Sequence, residues 1–513
     1  LATFLSADVS APSRPPAGTP PGGSEFVSGR GNGGQEPSQR HVVIIGGGLA
    51  GMAAAEAIAR HTGSQNTGSQ NAGSDTKITV LEARRVTGGR AGSFADRVRD
   101  ETVDYCQHVA MGCCTNLLQL LRRTGLDAHL HRHESLTFVH PLTKPCKFAP
   151  SSLAPAPFHL AGAIGSMTFL DERQRWQVRR GMARLLRTAE KDLRGQLAGQ
   201  WLREHGQDDD TIGEFWGTFA VSALGEEVDR VDMSAVRKVM VDGFAAARGA
   251  SDVLVPTVPL SDLFGVRLPN QIERLGVSIR TGQAVSGLEY REGSAVLTTN
   301  SGETIHADHV ISTLPWFSLD KLIANTPELS CMGAYSKISS SAITGVHLWL
   351  DREITKLPLV VLVGTVAQWL FRPPWRDSRT ENGEHYYQVV ISASNNWRSL
   401  SKEALVQTVM SDLRHLSKDA CDARLLHSRV VTDPHSVFSI QPEVLELRPP
   451  ASTPLPWFHL GGDWIDTGWP ATMEGAVISG RMAAGSVASR EGWDPIEIDP
   501  GLPRGTLARL LIR

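Results

Sequence analysis

Cysteine is scarce in these 513 residues, and its spacing excludes a disulfide scaffold. Cys106, Cys113, Cys114, Cys146, Cys331 and Cys421 show no C-x-x-C pair, so reduced thiols in a cytoplasmic protein are the simplest account. Charge of one sign is missing too. The formal net charge is −3, which points to neither a nucleic-acid nor a polyanion partner. No apolar run reaches membrane-spanning length. The best candidate, LPLVVLVGTVAQWLF from Leu357 to Phe371, is interrupted by Gly364 and Gln368 and reads as two strands joined by a turn. LATFLSADVS is too short and too polar for a signal-peptide core. Any membrane contact is therefore expected to be peripheral, on the inner face of the cell membrane, and no polybasic cluster or amphipathic anchor stands out to support it. A metal site is not expected either. His129, His131 and His133 read as one face of a strand, yet no Cys or acid completes a ligand set around them.

Glycine, by contrast, stands in an informative order. HVVIIGGGLAGMAAAEAIAR places an apolar run before Gly46, Gly48 and Gly51, with an Ala-rich helical pattern after them. That is the strand, turn and helix of a dinucleotide-binding βαβ unit. Gly46 permits the turn, Gly48 lets a pyrophosphate approach the backbone, and Gly51 lets helix and strand pack closely, with the helix N-terminus facing the phosphates. The second strand, KITVLE, ends at Glu82, where an acid can hold ribose hydroxyls. Its distance from the glycines exceeds the usual 20 or so residues. The excess is accounted for by TGSQNTGSQNAGSD at 62–75, a polar near-repeat expected to form a flexible surface loop. Residues 1–40, rich in Gly, Pro and Ser, are expected to be disordered.

From Thr87 the chain reads TGGRAGSF. Gly88 and Gly89 followed by Arg90 would bring backbone amides and one planar guanidinium to a diphosphate. V-L-E-A-R-x-x-x-G-G-R after a G-x-G-x-x-G strand resembles the flavin-binding entry of the amine oxidase and phytoene desaturase superfamily. The resemblance implies FAD rather than NAD, held at Gly46, Gly48, Leu49, Ala50, Gly51, Glu82, Ala83, Arg84, Gly88, Gly89 and Arg90. Next come Asp104, Gln107 and His108, where desaturase-like members carry Asp-x-Gly-Gln-His near the flavin ring; this chain has Cys106 for the Gly. Asp104 and His108 are the candidate catalytic acids, followed by Asp463 or Asp466. His108 reads equally well as a hydrogen-bonded structural residue.

Phe158 to about Leu263 has apolar residues at helical spacing and is expected to build a substrate pocket. FWGTFAVSALGEEVDR and DGFAAARGASDVLVPTVPLSDLF resemble the squalene-associated branch of the superfamily, the hydroxysqualene dehydroxylases. The likeness runs from about His41 to Val487. Gln271 to Pro315 alternates short strands with glycine turns; by resemblance, Val285 contacts the adenine. Trp349, Trp369 and Trp375 read evenly as pocket lining or ordinary core. The closing motif is GGDWIDTGWPATMEGA. It implies FAD contacts at Gly462, Asp463, Thr472, Met473 and Ala476, with a helix N-terminus aimed at the flavin pyrimidine.

The expected fold is α/β, a Rossmann-like FAD-binding domain with a mixed α+β substrate domain. The expected division is a tail at 1–40, flavin-domain segments at 41–150, 264–318 and 451–490, a mainly helical substrate segment at 151–263, substrate-domain strands and helix at 319–450, and a tail at 491–513. The resemblance implies reductive removal of the hydroxyl of hydroxysqualene, giving squalene; a carotenoid-type desaturase or an amine oxidase is the alternative. With one G-x-G-x-x-G in the chain, no separate nicotinamide site is visible. Electrons are therefore expected from a partner reductase or a weakly bound external donor.

Overall fold

The computed structural model describes residues 39–65, 76–333, 335–376 and 383–513. Almost all of the tail expected at 1–40 and most of the insert expected at 62–75 lie outside them. The strand His41–Ile45 is the middle of a five-stranded parallel sheet, ordered Ser278–Thr281, Lys77–Glu82, His41–Ile45, His309–Ser312, Phe458–Leu460. Four of its strands are buried along almost their whole length, as a parallel sheet covered on both faces requires, while the edge strand Ser278–Thr281 is half-buried to exposed. On one face Val42, Ile44, Val80 and Ile311 pack against Met52 and Ile58 of the helix Leu49–Gln65 and against Val477 and Val487 of the closing helix, Met473–Glu491. On the other, Val43, Ile45, Leu81 and Val310 meet Leu297 and Trp316.

A second sheet has seven strands, ordered Leu425–Phe438, Ser340–Leu350, His385–Ile391, Trp369–Phe371, Leu359–Leu362, Leu136–Val139, Cys146–Phe148. One face carries Val346, Leu348 and Val389 against the helix Lys402–Leu413. The other meets the helical segment through Phe138, Phe148, Phe169, Phe215, Phe219 and Phe244. In that segment the helix Glu172–Arg187 begins with a reciprocal cap. The Gln174 amide N–H donates to Asp171 at 2.7 Å and the Asp171 N–H to the Gln174 side chain at 2.8 Å, satisfying two otherwise orphaned donors. The segment is not wholly helical, since Val253–Pro256 is a strand paired with Ala110–Met111 and Leu130–His133.

Residues 39–513 form one compact unit. Leu357 to Phe371 forms two antiparallel strands with a turn between them. No helix among the described residues is long and apolar enough to cross a membrane. His129 does not share a strand with His131 and His133. It closes the short 3₁₀ turn Asp127–His129, and only the other two lie on Leu130–His133. No group of residues able to hold a metal ion occurs among the described residues. At 491–513 the helix Thr506–Leu511 docks onto the molecule, burying Ala508 and Ile512.

Candidate functional site

The glycine turn separates its three glycines by purpose. Gly46 has φ +109°, and a Cβ there would lie 2.6 Å from Thr313 Oγ1; a Cβ on Gly51 would lie 2.0 Å from the Gly46 carbonyl oxygen. Both positions are demanded by the protein's own packing. Gly48 is different, because a Cβ there would meet nothing closer than Gly89 Cα at 4.0 Å. What Gly48 leaves free is space beside the backbone, where a ligand can approach. The helix beginning at Leu49 and Ala50 has no acidic residue in its first turn, so its positive end is free for an anion.

Glu82 is buried, and its two oxygens accept from Gly47 N–H at 2.7 Å and Arg84 N–H at 2.8 Å. This fixes the carboxylate beside the turn with lone pairs left for ribose hydroxyls. Ala83 and Arg84 are exposed. The Gly282 and Gln283 N–H groups donate to the Arg84 and Glu82 carbonyls at 2.8 and 2.9 Å, leading into the strand Val285–Arg291, whose first residue is half-buried. Gly88 and Gly89 both have positive φ, +97° and +62°. The Thr87 hydroxyl donates to the Phe264 carbonyl at 3.1 Å, locking this turn to the helical segment.

Residues 373 positions apart then meet: Arg90 is ion-paired with buried Asp463 and also donates to the Ser436 carbonyl. Burial works against the Arg90 charge, but Asp463 more than offsets it and the pKa is raised. Asp463 is thereby engaged by the Arg90 guanidinium, and Asp466 lies half-buried with Arg194 at 3.8 Å. Gly462, at φ +115°, donates its N–H to Ser479 Oγ at 2.8 Å. Thr472 caps the closing helix by accepting from Gly475 N–H at 3.0 Å, with Met473 and Ala476 half-buried in the first turn.

Several residues of this assembly were not legible as site residues. Buried Arg448 donates to the carbonyls of Trp464, Ile465 and Trp469, holding the closing loop by three points; nothing in LELRPP marks it. Glu474, inside the closing motif, accepts from Asn116 and Leu117 N–H at 2.9 and 2.7 Å and so caps the helix Thr115–Arg123. Gly480 passes so close to the first helix that a Cβ would lie 2.1 Å from the Ala50 carbonyl oxygen.

Asp104 and His108 take unequal roles. Asp104 is fully buried; Oδ1 accepts from Ser93 Oγ at 2.6 Å and from Leu260 N–H at 3.0 Å, while Oδ2 has no partner among the described residues. Burial pushes its pKa up to about 6, so it is the carboxyl here that can carry a proton near neutrality. Beside it, burial first and the Asp104 charge second push the Cys106 thiol up to about 12. His108 Nδ1 lies 2.9 Å from the Cys106 carbonyl oxygen and must donate to it, leaving Nε2 as an acceptor in the neutral ring. Burial lowers its pKa. His108 is thus a neutral imidazole, not the charged acid that the sequence allowed. Gln107 Oε1 is buried without a partner among the described residues. Trp349 does not line a pocket. It is fully buried, donates to Glu101 at 3.2 Å, and has the guanidinium groups of Arg99 and Arg376 over its ring at 5.8 and 5.5 Å. Trp369 stacks on Phe371, and Trp375 is half-buried.

These features fit FAD. The open flank at Gly48, the acid-free helix terminus, the fixed Glu82 carboxylate and the Arg90–Asp463 pair belong to one continuous assembly, which would hold adenosine, diphosphate and ribityl groups in turn. The family model for flavin-containing amine oxidoreductases matches residues 49–488. A 15-cis-phytoene desaturase from an Oncidium hybrid cultivar is 25% identical over 475 residues, covering 87% of this chain and 77% of its own. The hydroxysqualene dehydroxylase of Zymomonas mobilis is 25% identical over 462 residues, covering 86% and 97%. Among solved structures, a putrescine oxidase superposes with a TM-score of 0.62 at 15% identity over 88% of this chain and 99% of its own. An oxidoreductase from Methanosarcina mazei gives 0.63 at 17% identity over 86% and 98%. The chain therefore belongs to the flavin-containing amine oxidoreductase family and is an FAD-dependent oxidoreductase.

Proposed function

We propose that the protein removes the hydroxyl of hydroxysqualene reductively, giving squalene and water as reduced FAD is oxidised. The observation that carries this reading is the alignment with the Zymomonas dehydroxylase across 97% of that protein. Bound FAD would supply the hydride. The chain's part is to hold the cofactor through the glycine turns, Glu82 and the Arg90–Asp463 pair, to keep water from the reacting carbon, and to assist departure of the hydroxyl with a proton. Asp104 is the better-placed proton carrier, its carboxyl kept near pKa 6 by burial. The apolar chain would lie in a pocket built with the helical segment, where exclusion of water favours an allylic cation. Electrons come from a partner reductase or a weakly bound donor, and the protein meets its insoluble substrate at a membrane surface.

A second reading, desaturation of a long polyene, is favoured by the phytoene desaturases among the relatives. One anaerobic experiment separates the two. The bound flavin is reduced with dithionite, hydroxysqualene is added, and flavin absorbance and extracted lipid are followed together. Reoxidation with stoichiometric squalene is the expected result. A flavin that stays reduced, while the oxidised enzyme is bleached by a saturated polyprene or an amine, would overturn the substrate assignment and leave the fold standing.

A further inference from the structure

One face of the helical segment carries a charge opposite to that of the whole molecule. Residues 141–187 contain eight Lys and Arg against two acids, Asp171 and Glu172, in a chain of net charge −3. The fold ties the segments that carry these residues to one another. The turn between the strands Leu136–Val139 and Cys146–Phe148 is tied to the helical segment by Thr168 Oγ1, which donates to the Lys144 carbonyl, and by Ser166 Oγ, which donates to the Lys147 carbonyl at 3.0 Å. A Cβ on Gly165 would lie 3.5 Å from Arg179 Nη2. The neighbouring loop joins through Ser151 N–H to the His159 carbonyl at 2.8 Å and through Arg248 to the Ala154 carbonyl at 2.6 Å.

This surface exposes large apolar side chains at separate projections. Leu142 is 87% exposed, Leu153 91%, Phe158 54% and Trp176 57%. Trp176 stands on the outer face of the helix Glu172–Arg187, whose inner face buries Val178, Met182 and Leu185. The Arg180 guanidinium lies 5.4 Å from its ring centroid. Arg179, Arg180 and Arg184 form no ion pair among the described residues, whereas Arg173 is paired with Asp208 at 2.8 Å. Exposed Glu172 sits at the start of the helix, the end farther from Arg184. Apolar tips interleaved with long unpaired cations suit a lipid headgroup layer. Trp and Leu enter the interface, Arg and Lys extend to phosphates, and each cation is attracted by an anionic leaflet.

We propose that this face seats the protein on an anionic phospholipid bilayer, with Leu142, Leu153, Phe158 and Trp176 entering the headgroup region. The inference stands on the surface itself and holds whichever apolar substrate the enzyme takes. The test is co-sedimentation of the full-length, FAD-loaded protein with vesicles of phosphatidylcholine alone or mixed with phosphatidylglycerol. Binding is expected to the mixed vesicles, with release at high salt. Reversing Arg179 and Arg180 to Glu together should lower the partition coefficient by on the order of twentyfold or more, with flavin content and Tm confirming the fold. In brominated lipid, tryptophan quenching is expected for the natural chain and should be lost in Trp176→Phe while the vesicles still bind. Equal binding to both vesicle types, unchanged binding of the Arg179/Arg180 variant, or quenching that survives Trp176→Phe would each overturn the proposal. Failure to sediment with either vesicle would overturn it as well, and would favour an acidic protein surface as the occupant.

Discussion

At the scale of single residues, the glycines of the phosphate turn make separable predictions, because the structure gives each a different neighbour. A methyl group on Gly51 would press into the Gly46 carbonyl, and backbone cannot give as a flexible side chain would. Gly51→Ala is therefore expected to destabilise the whole protein by about 2 kcal/mol or more, read as a lower Tm with or without flavin. Gly48→Ala has room within the protein. It should leave the flavin-free Tm unchanged and weaken FAD binding at least roughly tenfold, about 1.4 kcal/mol, by titration of flavin fluorescence. Loss of stability in Gly48→Ala would count against the open flank as the ligand's space.

Asp104 gives a prediction with a sign. Its pKa rises from 3.8 to about 6 because burial opposes the charged form. The folded protein therefore holds that proton more tightly than the unfolded chain. The stability linked to it is present below pH 3.8 and lost as pH rises through about 6, a change of about 3 kcal/mol. In Asp104→Asn this slope should be absent, so the stability of the natural chain minus that of the variant should fall as pH rises between about 4 and 6. Chemical denaturation across that range measures it, and a flat difference would show that the carboxyl titrates normally.

At the scale of elements, the closing loop depends on one buried cation. Arg448 spans three carbonyls with a planar, fixed set of donors, which a lysine ammonium cannot reproduce. Arg448→Lys is expected to cost about 2 kcal/mol of stability and to weaken FAD retention, since the same loop carries Asp463. Flavin-to-protein ratio after gel filtration, set beside Tm, reads both effects; full retention with a lowered Tm would confine Arg448 to folding. Element identity was mostly legible in the sequence, since the apolar strand before Gly46, the alternation after Gly276 and the helix after Thr472 each have a local cause. His129 was misplaced because a 3₁₀ turn and a strand start look alike in three alternating histidines. The basic helix Glu172–Arg187 passed unnoticed because its arginines are spaced by turns of a helix, not in a run.

At the scale of the whole molecule, the residues that would hold the flavin come from stretches around 46–90, Val285 and 462–476. Segments so distant should be tied together by the ligand. A ligand present at a hundredfold excess over its Kd stabilises the folded state by about 2.7 kcal/mol. Removing FAD is accordingly expected to lower the Tm and to raise protease sensitivity in all three stretches, with recovery on adding FAD back. Cleavage confined to one stretch would show that the site is not shared among them.

What the sequence determined by itself was the cofactor, the family and the order of the motifs, because a pyrophosphate on a glycine turn and an acid at a strand end are requirements of a few neighbouring residues. What only the tertiary structure decided was the state of each side chain. Asp463 could be read as a ribityl ligand or an acid until Arg90 was found against it. Burial, with the Arg90 charge behind it, turns His108 away from an acidic role against the opposing pull of the Cys106 carbonyl, and Trp349 is buried against Glu101 and two arginines. Those outcomes depend on which groups the fold brings within hydrogen-bond reach and how much water it removes, and neither quantity is local in the chain.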